Sequence, residues 1–369
     1  MRKITYNYRL FFAFILMFSF TSFTAHATEE REKLDAGALM IDHIIDSHDW
    51  HIYSIGDKHV SIPLPIIILE NGKLTCFMSS RFEHGHATYK GYALPSEGPN
   101  KGKIIKVDEK GDKDESAIIY DFSITKNALS IMMTSVLIFF LFYSVAKTYK
   151  RNPNKAPKGL QSVIEIAIIF VRDDIAKASI GPKYTKYLPY LLTLFFFIII
   201  NNLVGLIPIF PGGANVTGNI TVCAILALFT FFIIIFTGNR NYWKGIFNTP
   251  GVPWWLKLPL PLMPIIEILG ALTKPFVLMV RLFANITAGH IIGLGFITLI
   301  LVFGEMSSAA ALTISPLSVL LYMFIGLLEF LVAFLQAYVF TLLTAIFFGM
   351  AVEEHHNEVQ EQATLIDEN

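Results

Sequence analysis

Val277-Leu278-Met279-Val280-Arg281-Leu282-Phe283-Ala284-Asn285-Ile286-Thr287-Ala288-Gly289-His290 sets an arginine, an asparagine and a histidine inside an apolar run that extends from Pro264 to Phe303. That run is 40 residues long; as helix it would reach about 60 Å, twice the roughly 30 Å of a bilayer's hydrocarbon core. An upright straight crossing is excluded. A second run, Pro316 to Met350, is 35 residues long and would reach about 52 Å. Either each run contains a break, for which Pro275 offers a place in the first, or both are steeply tilted. The tilted reading is favoured, because no turn-like polar cluster divides either run. It gives an antiparallel hairpin joined by Gly304 to Ser315, a segment without lysine or arginine.

Composition supports a chain that lives in lipid. Of 369 residues, 54% are hydrophobic and 16% charged, against roughly 25% charged in a soluble domain. Between residues 191 and 350 only Arg240, Lys244, Lys257, Glu267, Lys274, Arg281, Glu305 and Glu329 are charged. The formal net charge is zero and neither sign dominates a block, so no nucleic-acid partner is indicated. Cys76 and Cys223 lie in segments of opposite character and imply no disulfide framework.

Upstream of the hairpin the spans can be counted. Tyr187 to Leu206 and Asn219 to Gly238 are apolar; the loop between them lacks lysine and arginine, and the second span ends at Arg240, Lys244 and Lys257. Ala128 to Ala146 is a further span, followed at once by Lys147, Lys150, Arg151, Lys155 and Lys158. Basic residues mark the cytoplasmic side, so residues before 126 are read as exported. From Leu160 to Ala178 apolar positions recur at helical spacing but are interrupted by Glu165, Arg172, Asp173 and Lys177; this segment reads as a helix lying along the surface, not a crossing.

The N-terminus has a short basic region, an apolar run from Leu10 to Phe20, and Ala25-His26-Ala27, the pattern of a signal peptide cleaved after Ala27. The chain thus divides into a signal peptide (1–27), an exported domain (28–125), a membrane domain (126–355) and a cytoplasmic tail (356–369). The fold class is an all-α polytopic membrane protein with five crossings and a long tilted C-terminal hairpin, plus a small exported β-containing domain. In that domain His59 to Leu69 and Leu74 to Ser80 are β-rich, and the charged run Lys101 to Glu115 reads as a solvated loop. Its six histidines have no spacing that specifies a metal site, which needs two to four converging ligands with ordered partners; scattered surface histidines are the reading preferred.

An arginine at the middle of a membrane helix costs at least about 2.5 kcal/mol, so it faces a partner, a bundle interior or water. Arg281 has no acid at i±3 or i±4. Its counter-charge comes from elsewhere: an internal ion pair to Glu329 or another acid of this chain, or an acidic partner. At 100° per residue, Asn285, Lys274 and Glu267 fall within about 40° of Arg281 and make one polar stripe, with Gly270, Ala271, Ala284 and Ala288 adding small residues. His290 is half a turn away. On the second long helix Glu329 and Gln336 share a face, and Asn201 and Asn202 put polar groups into the second span. Intramembrane histidine and acid chains recur as proton relays. The residues describe a membrane protein with a polar path and an isolated arginine.

The motif Arg281 to His290, followed by Leu335-Gln336-Ala337-Tyr338-Val339-Phe340 and the tail Met350-Ala351-Val352-Glu353-Glu354-His355, strongly resembles subunit a of F-type ATP synthases. Asn201-Asn202-Leu203 and Lys274-Pro275 extend the resemblance over about residues 120–355. It implies the proton-translocating stator subunit of the F0 sector, non-catalytic on its own. Its implied partners are a ring of c subunits, subunit b of the peripheral stalk and the remaining F0F1 subunits, and it implies no cofactor. It also implies a multi-pass position in a bacterial inner membrane. Arg281 would face the ring's carboxylates, His290, Glu329, Asn202 and Gln336 would line the inlet half-channel and its ring-facing neighbours, and Glu267 the outlet. Many bacterial relatives carry glutamate at the position matching His290 and histidine at that matching Glu329; here the two are exchanged, as in mitochondrial members. Gly205 stands where some relatives have an acid, and the exported domain is longer than in better-known members. A rival of another class is a stand-alone transporter using Arg281 for an anionic substrate.

Overall fold

The computed structural model describes residues 35–352, apart from 56–57, 86, 96–97, 99, 109–112, 115–116, 152–155, 208–209 and 248–261. The expected signal peptide and cytoplasmic tail lie outside the described residues.

The N-terminal domain begins with helix α1 (Ala36–Ile44), which the sequence reading missed, and an antiparallel pair of strands, β1 (Asp49–Ile55) and β2 (Lys58–Pro63). The stretch read as β-rich from His59 to Leu69 forms two strands, split at Leu64, because Pro63 and Pro65 flank it and neither can donate a ladder hydrogen bond. The Leu64 N–H is satisfied by Ser79 Oγ at 3.0 Å. Beyond the break, β3 (Pro65–Glu70) pairs antiparallel with β4 (Lys73–Met78). Short strands β5 (Tyr92–Ala93) and β6 (Ile105–Lys106) pair with each other, and β7 (Ile119–Asp121) returns to the free edge of β3. Alternation along β3 drives Ile66 and Ile68 into a core with Phe82, Tyr92 and Ile104, as a half-buried strand requires.

The run Lys101 to Glu115 is therefore not wholly a solvated loop: it carries β6 and the buried Ile104. Lys106 forms an ion pair with Glu70, which also accepts from the Tyr92 hydroxyl at 2.6 Å. The Lys106 ammonium and then the Tyr92 hydroxyl hold the Glu70 carboxyl below its ordinary value, while burial and the Glu70 contact push the Tyr92 phenol up to about 12. A depressed carboxylate stabilises the fold above its unfolded pKa, and that stability is lost as pH falls through the folded value. Lys106→Ala should therefore make this domain open at a higher pH on acidification, seen as an earlier onset of limited proteolysis in the membrane-embedded protein. With Lys106 about a third exposed (32%), the loss is at most about 1 kcal/mol.

The membrane domain starts at α2 (Lys126–Arg151), whose first N–H groups are tied to the N-terminal domain. The Lys126 N–H donates to Ser47 O at 2.8 Å and the Asn127 N–H to Asp46 Oδ1 at 3.0 Å. The segment expected along the surface is α3 (Leu160–Phe170). It runs through a π-helical turn at Val171–Lys177, a helical turn at Ala178–Ile180 and a 3-10 turn at Gly181–Lys183, end to end into α4 (Tyr184–Gly205). Its inner side buries Val171, Ile175 and Ala176, and its outer side leaves Leu160, Val163 and Ile166 more than 60% exposed. Next come α5 (Ile220–Thr237), capped by Asn219 Oδ1 accepting from the Thr221 N–H at 2.9 Å, and the short α6 (Arg240–Phe247).

Two helices of 45 residues each complete the domain, α7 (Leu262–Met306) and α8 (Ser308–Val352). Among the described residues five helical spans are long and apolar enough to cross a membrane, and the mostly helical architecture with a small strand region is that of a polytopic membrane protein. The long pair is an unbroken antiparallel hairpin in which Pro275 and Pro316 sit inside helices. Its connection is not the 12 residues from Gly304 to Ser315 but Ser307 alone. The Ser307 hydroxyl accepts from the Ala310 N–H at 3.1 Å, an N-cap, and the alanines after it are the strongest helix formers. Gly304 lies against Ala311, Gly293 against Tyr322 and Ile325, Gly289 against Glu329, and Lys274 Nζ stands 5.4 Å from the centre of the Phe347 ring. The two helices are thus paired along most of their length. At about 1.5 Å per residue each is about 67 Å long, so neither fits upright in a hydrocarbon core. The end of α8 is seated on the Ala178–Ile180 turn so closely that a Cβ on Gly349 would lie 2.1 Å from the Ser179 carbonyl oxygen.

Candidate functional site

The polar residues singled out in sequence occupy different levels of α7. Glu267 lies at the level of α6, where burial first and then the negative charge of Glu267 push the Tyr242 phenol above its ordinary value. Lys274 follows two turns on, over Phe347. Arg281 comes next and is solvent-exposed in the isolated chain, as are Ala284, Asn285 and Ala288. Among the described residues Arg281 forms no ion pair, so the internal pairing with Glu329 that its sequence left open is not made. Glu329 is engaged elsewhere: its Oε1 lies 3.5 Å from His290 Nδ1, and the side chains are only 17% and 20% exposed.

His290 and Glu329 share a cavity of about 140 Å³ with Asn202 and Asn285, closed by apolar residues of α4, α7 and α8. Asn202, from α4, donates to the Ala333 carbonyl at 3.2 Å and accepts from the Thr217 hydroxyl at 2.5 Å, which fixes it between α8 and the loop after α4. Helical arithmetic set Asn285 and His290 on opposed faces, yet both line the one cavity. Gln336 is 2% exposed, two turns from Glu329 on α8, and its Oε1 has no hydrogen-bond partner among the described residues. Glu267, Lys274 and Gln336 do not line the cavity.

A second cavity, of about 90 Å³, meets the same His290 and Glu329 from the side of the α4–α5 loop, with Gly205, Gly213, Asn215 and Tyr322 in its wall. Gly205 is tight rather than open, since a Cβ there would come 3.0 Å from the Ala214 carbonyl oxygen. Asn215, Thr217 and Tyr322 were not anticipated from the sequence, and a lone asparagine or threonine in a loop gives no signal that would single it out. Gly289 could have been found, because a small residue directly before an intramembrane histidine invites close approach. A Cβ at Gly289 would lie 2.8 Å from Glu329 Oε1. The three atoms nearest the new Cβ all belong to the Glu329 side chain, whose Cγ at 3.0 Å must give along with the carboxylate, so Gly289→Ala is expected to leave the fold intact while displacing Glu329 from His290. A structure of the variant should show the Glu329 carboxylate moved off His290, with the amount of assembled protein unchanged on immunoblots.

Of the six histidines of the N-terminal domain, His48 is 7% exposed beside Asp121 (3.5 Å) and His51 is exposed; no group of three or more His, Cys, Asp or Glu suited to a metal occurs among the described residues. His43, His59, His84 and His86 lie outside the described side chains. Cys76 and Cys223 are both free, the first exposed and the second buried.

A family model for the ATP synthase A chain matches residues 128–349. The chain belongs to that family. It is 41% identical over 253 residues to ATP synthase subunit a of Chloroherpeton thalassium, a match covering 66% of this chain and 72% of the relative. Over 253 residues it is 42% identical to ATP synthase subunit a 2 of Chlorobaculum tepidum, covering 66% and 68%. With ATP synthase subunit a of an Anaeromyxobacter species the identity is 36% over 248 residues, covering 64% and 56%. A second family model, described as a domain of unknown function, matches residues 39–122. Membership in the ATP synthase A chain family makes the chain a membrane component of an ATP synthase, with ATP synthesis and ion transport as its setting.

Proposed function

We propose that the chain is the proton-translocating stator subunit of the F0 sector of a rotary ATP synthase. The observation that carries this reading is Arg281: exposed, without an ion pair among the described residues, and flanked by Ala284, Asn285 and Ala288 on the same open face. Small residues allow another helix to come close, and a desolvated cation there favours the ionised form of an approaching carboxylic acid. A ring of c-subunit hairpins supplies such an acid repeatedly. His290, Glu329, Asn202 and Asn285 form the proton path from the exported side to that face, with Gln336 adjoining the ring-facing side. Lys274 and Glu267, about 24 and 35 Å from His290 by helical rise, belong to the path leading to the cytoplasmic side. Arg281 stands between the two and blocks a direct leak.

Charge placement supports the orientation, with the N-terminal domain exported and the C-terminus in the cytoplasm of a bacterial cell, across its inner membrane. The subunit is non-catalytic by itself: each proton crossing about 100 mV supplies about 2.3 kcal/mol, and ATP is made in the attached F1 sector, held by subunit b.

Cross-linking tests the docking face. A cysteine at Ala288 should form a disulfide with a cysteine placed on the outer helix of subunit c in membranes, whereas one at Phe236, 82% exposed on α5, should not. A chain that purifies alone, cross-links to no c subunit and binds an anionic solute through Arg281 would be a transporter instead.

A further inference from the structure

The N-terminal domain is fastened to the membrane domain at three places, and the third opens into the proton path. Trp50 of β1 is 3% exposed, in a cluster with Ala214 and Val216 of the α4–α5 loop, and its ring meets Phe210 edge-on at 5.2 Å. Asp46 and Ser47 accept the first N–H groups of α2, where a carboxylate is favoured by the helix dipole. Helix α1 packs along α7, with Met40 against Gly295, and Ile44 at its end enters the wall of the 90 Å³ cavity opposite His290 and Glu329.

Two buried polar atoms in that wall are left without a hydrogen bond among the described residues: Asn215 Nδ2, and Glu329 Oε1, whose 3.5 Å approach to His290 Nδ1 is too long to count as one. Orphaned buried polar groups are ordinarily satisfied by water. The cavity is large enough for a few molecules, each needing about 30 Å³ of liquid volume. A donor amide and an acceptor carboxylate in one such space can hold a short water file between them.

We propose that the N-terminal domain is the outer collar of the proton-access cavity, with Ile44 at its lip and Asn215 positioning the water that reaches His290 and Glu329. This rests on the proton-path reading of His290 and Glu329. Protons then approach between α1 and the α4–α5 loop, and the domain narrows their route without taking part in proton transfer.

The test uses the complete ATP synthase in vesicles with the exported face outward. Cys76 is replaced by serine, and Ile44→Cys is modified after assembly with a bulky methanethiosulfonate. Comparing the same complex before and after modification separates blockage from misfolding. ATP synthesis driven by an imposed proton gradient should fall several-fold, while Leu74→Cys, 64% exposed on the N-terminal domain, should be modified without effect. Asn215→Ala should slow flux, and Asn215→Asp, which also orders water, should restore it. An Ile44→Cys that is unreactive, or that reacts with no loss, overturns the collar while leaving the inner path standing, provided that the His290→Leu/Glu329→Leu double variant is slowed. If that double variant keeps full flux, the inner path and the collar both fall.

Discussion

Arg281→Ala is expected to abolish ATP-driven proton pumping, measured as loss of dye quenching in inverted vesicles, and to abolish ATP synthesis with it. The subunit should still be found in the assembled complex. The two halves of that prediction follow from one observation. Arg281 is exposed and makes no ion pair among the described residues, so its removal strands no internal partner; substitutions away from such features change stability by only about 0.5 kcal/mol. On the proposed reading the functional loss should be complete, because a cation at that face is what favours the ionised form of a passing carboxylic acid. Pumping retained at even a tenth of the normal rate would count heavily against the docking face proposed for α7.

Replacing both His290 and Glu329 with leucine should slow proton flux by at least an order of magnitude in the same assay. Single replacements should each cost nearly as much, since side chains 3.5 Å apart act as one unit and their effects do not add. Exchanging them, as His290→Glu with Glu329→His, should restore much of the flux, because each group then stands at the other's end of the same contact. Unchanged flux in the double leucine variant would remove both residues from the path. Loss of the subunit from the membrane would not explain a deficit, as leucine in that cavity adds apolar surface next to apolar walls.

Much of this architecture was legible in the sequence for a simple reason: in lipid the backbone must satisfy itself, so apolar length translates almost directly into helices. Basic flanks and run lengths therefore yielded the five spans and the hairpin. What length could not yield was the turn. Gly304 to Ser315 has turn-like residues at both ends, but Ser307 caps a helix started by three alanines, and this local signal outweighs the glycine. The pairing of His290 with Glu329 was equally out of reach of single-helix arithmetic, because it depends on the register between two helices, fixed by where Ser307 turns the chain and by the room Gly289 leaves. The polar stripe from Glu267 to Asn285 was readable, since it lies on one helix. The N-terminal domain was the least legible part. Its strands are short, a β-rich stretch is cut by prolines, and the contacts that hold it to the membrane helices come from Asp46, Ser47 and Trp50, whose partners are 79 or more positions away.

Strand β7 ends four residues before α2 begins, yet β3, its neighbour in the sheet, lies some 50 positions earlier. The nascent polypeptide therefore cannot finish that sheet until everything up to the threshold of the first lipid-embedded helix has left the ribosome. Folding of the N-terminal domain is therefore completed only after the chain has been made up to the start of α2. A translation stall between residues 80 and 118 would leave β3 without its β7 neighbour, an unmatched edge open to proteases or to aggregation.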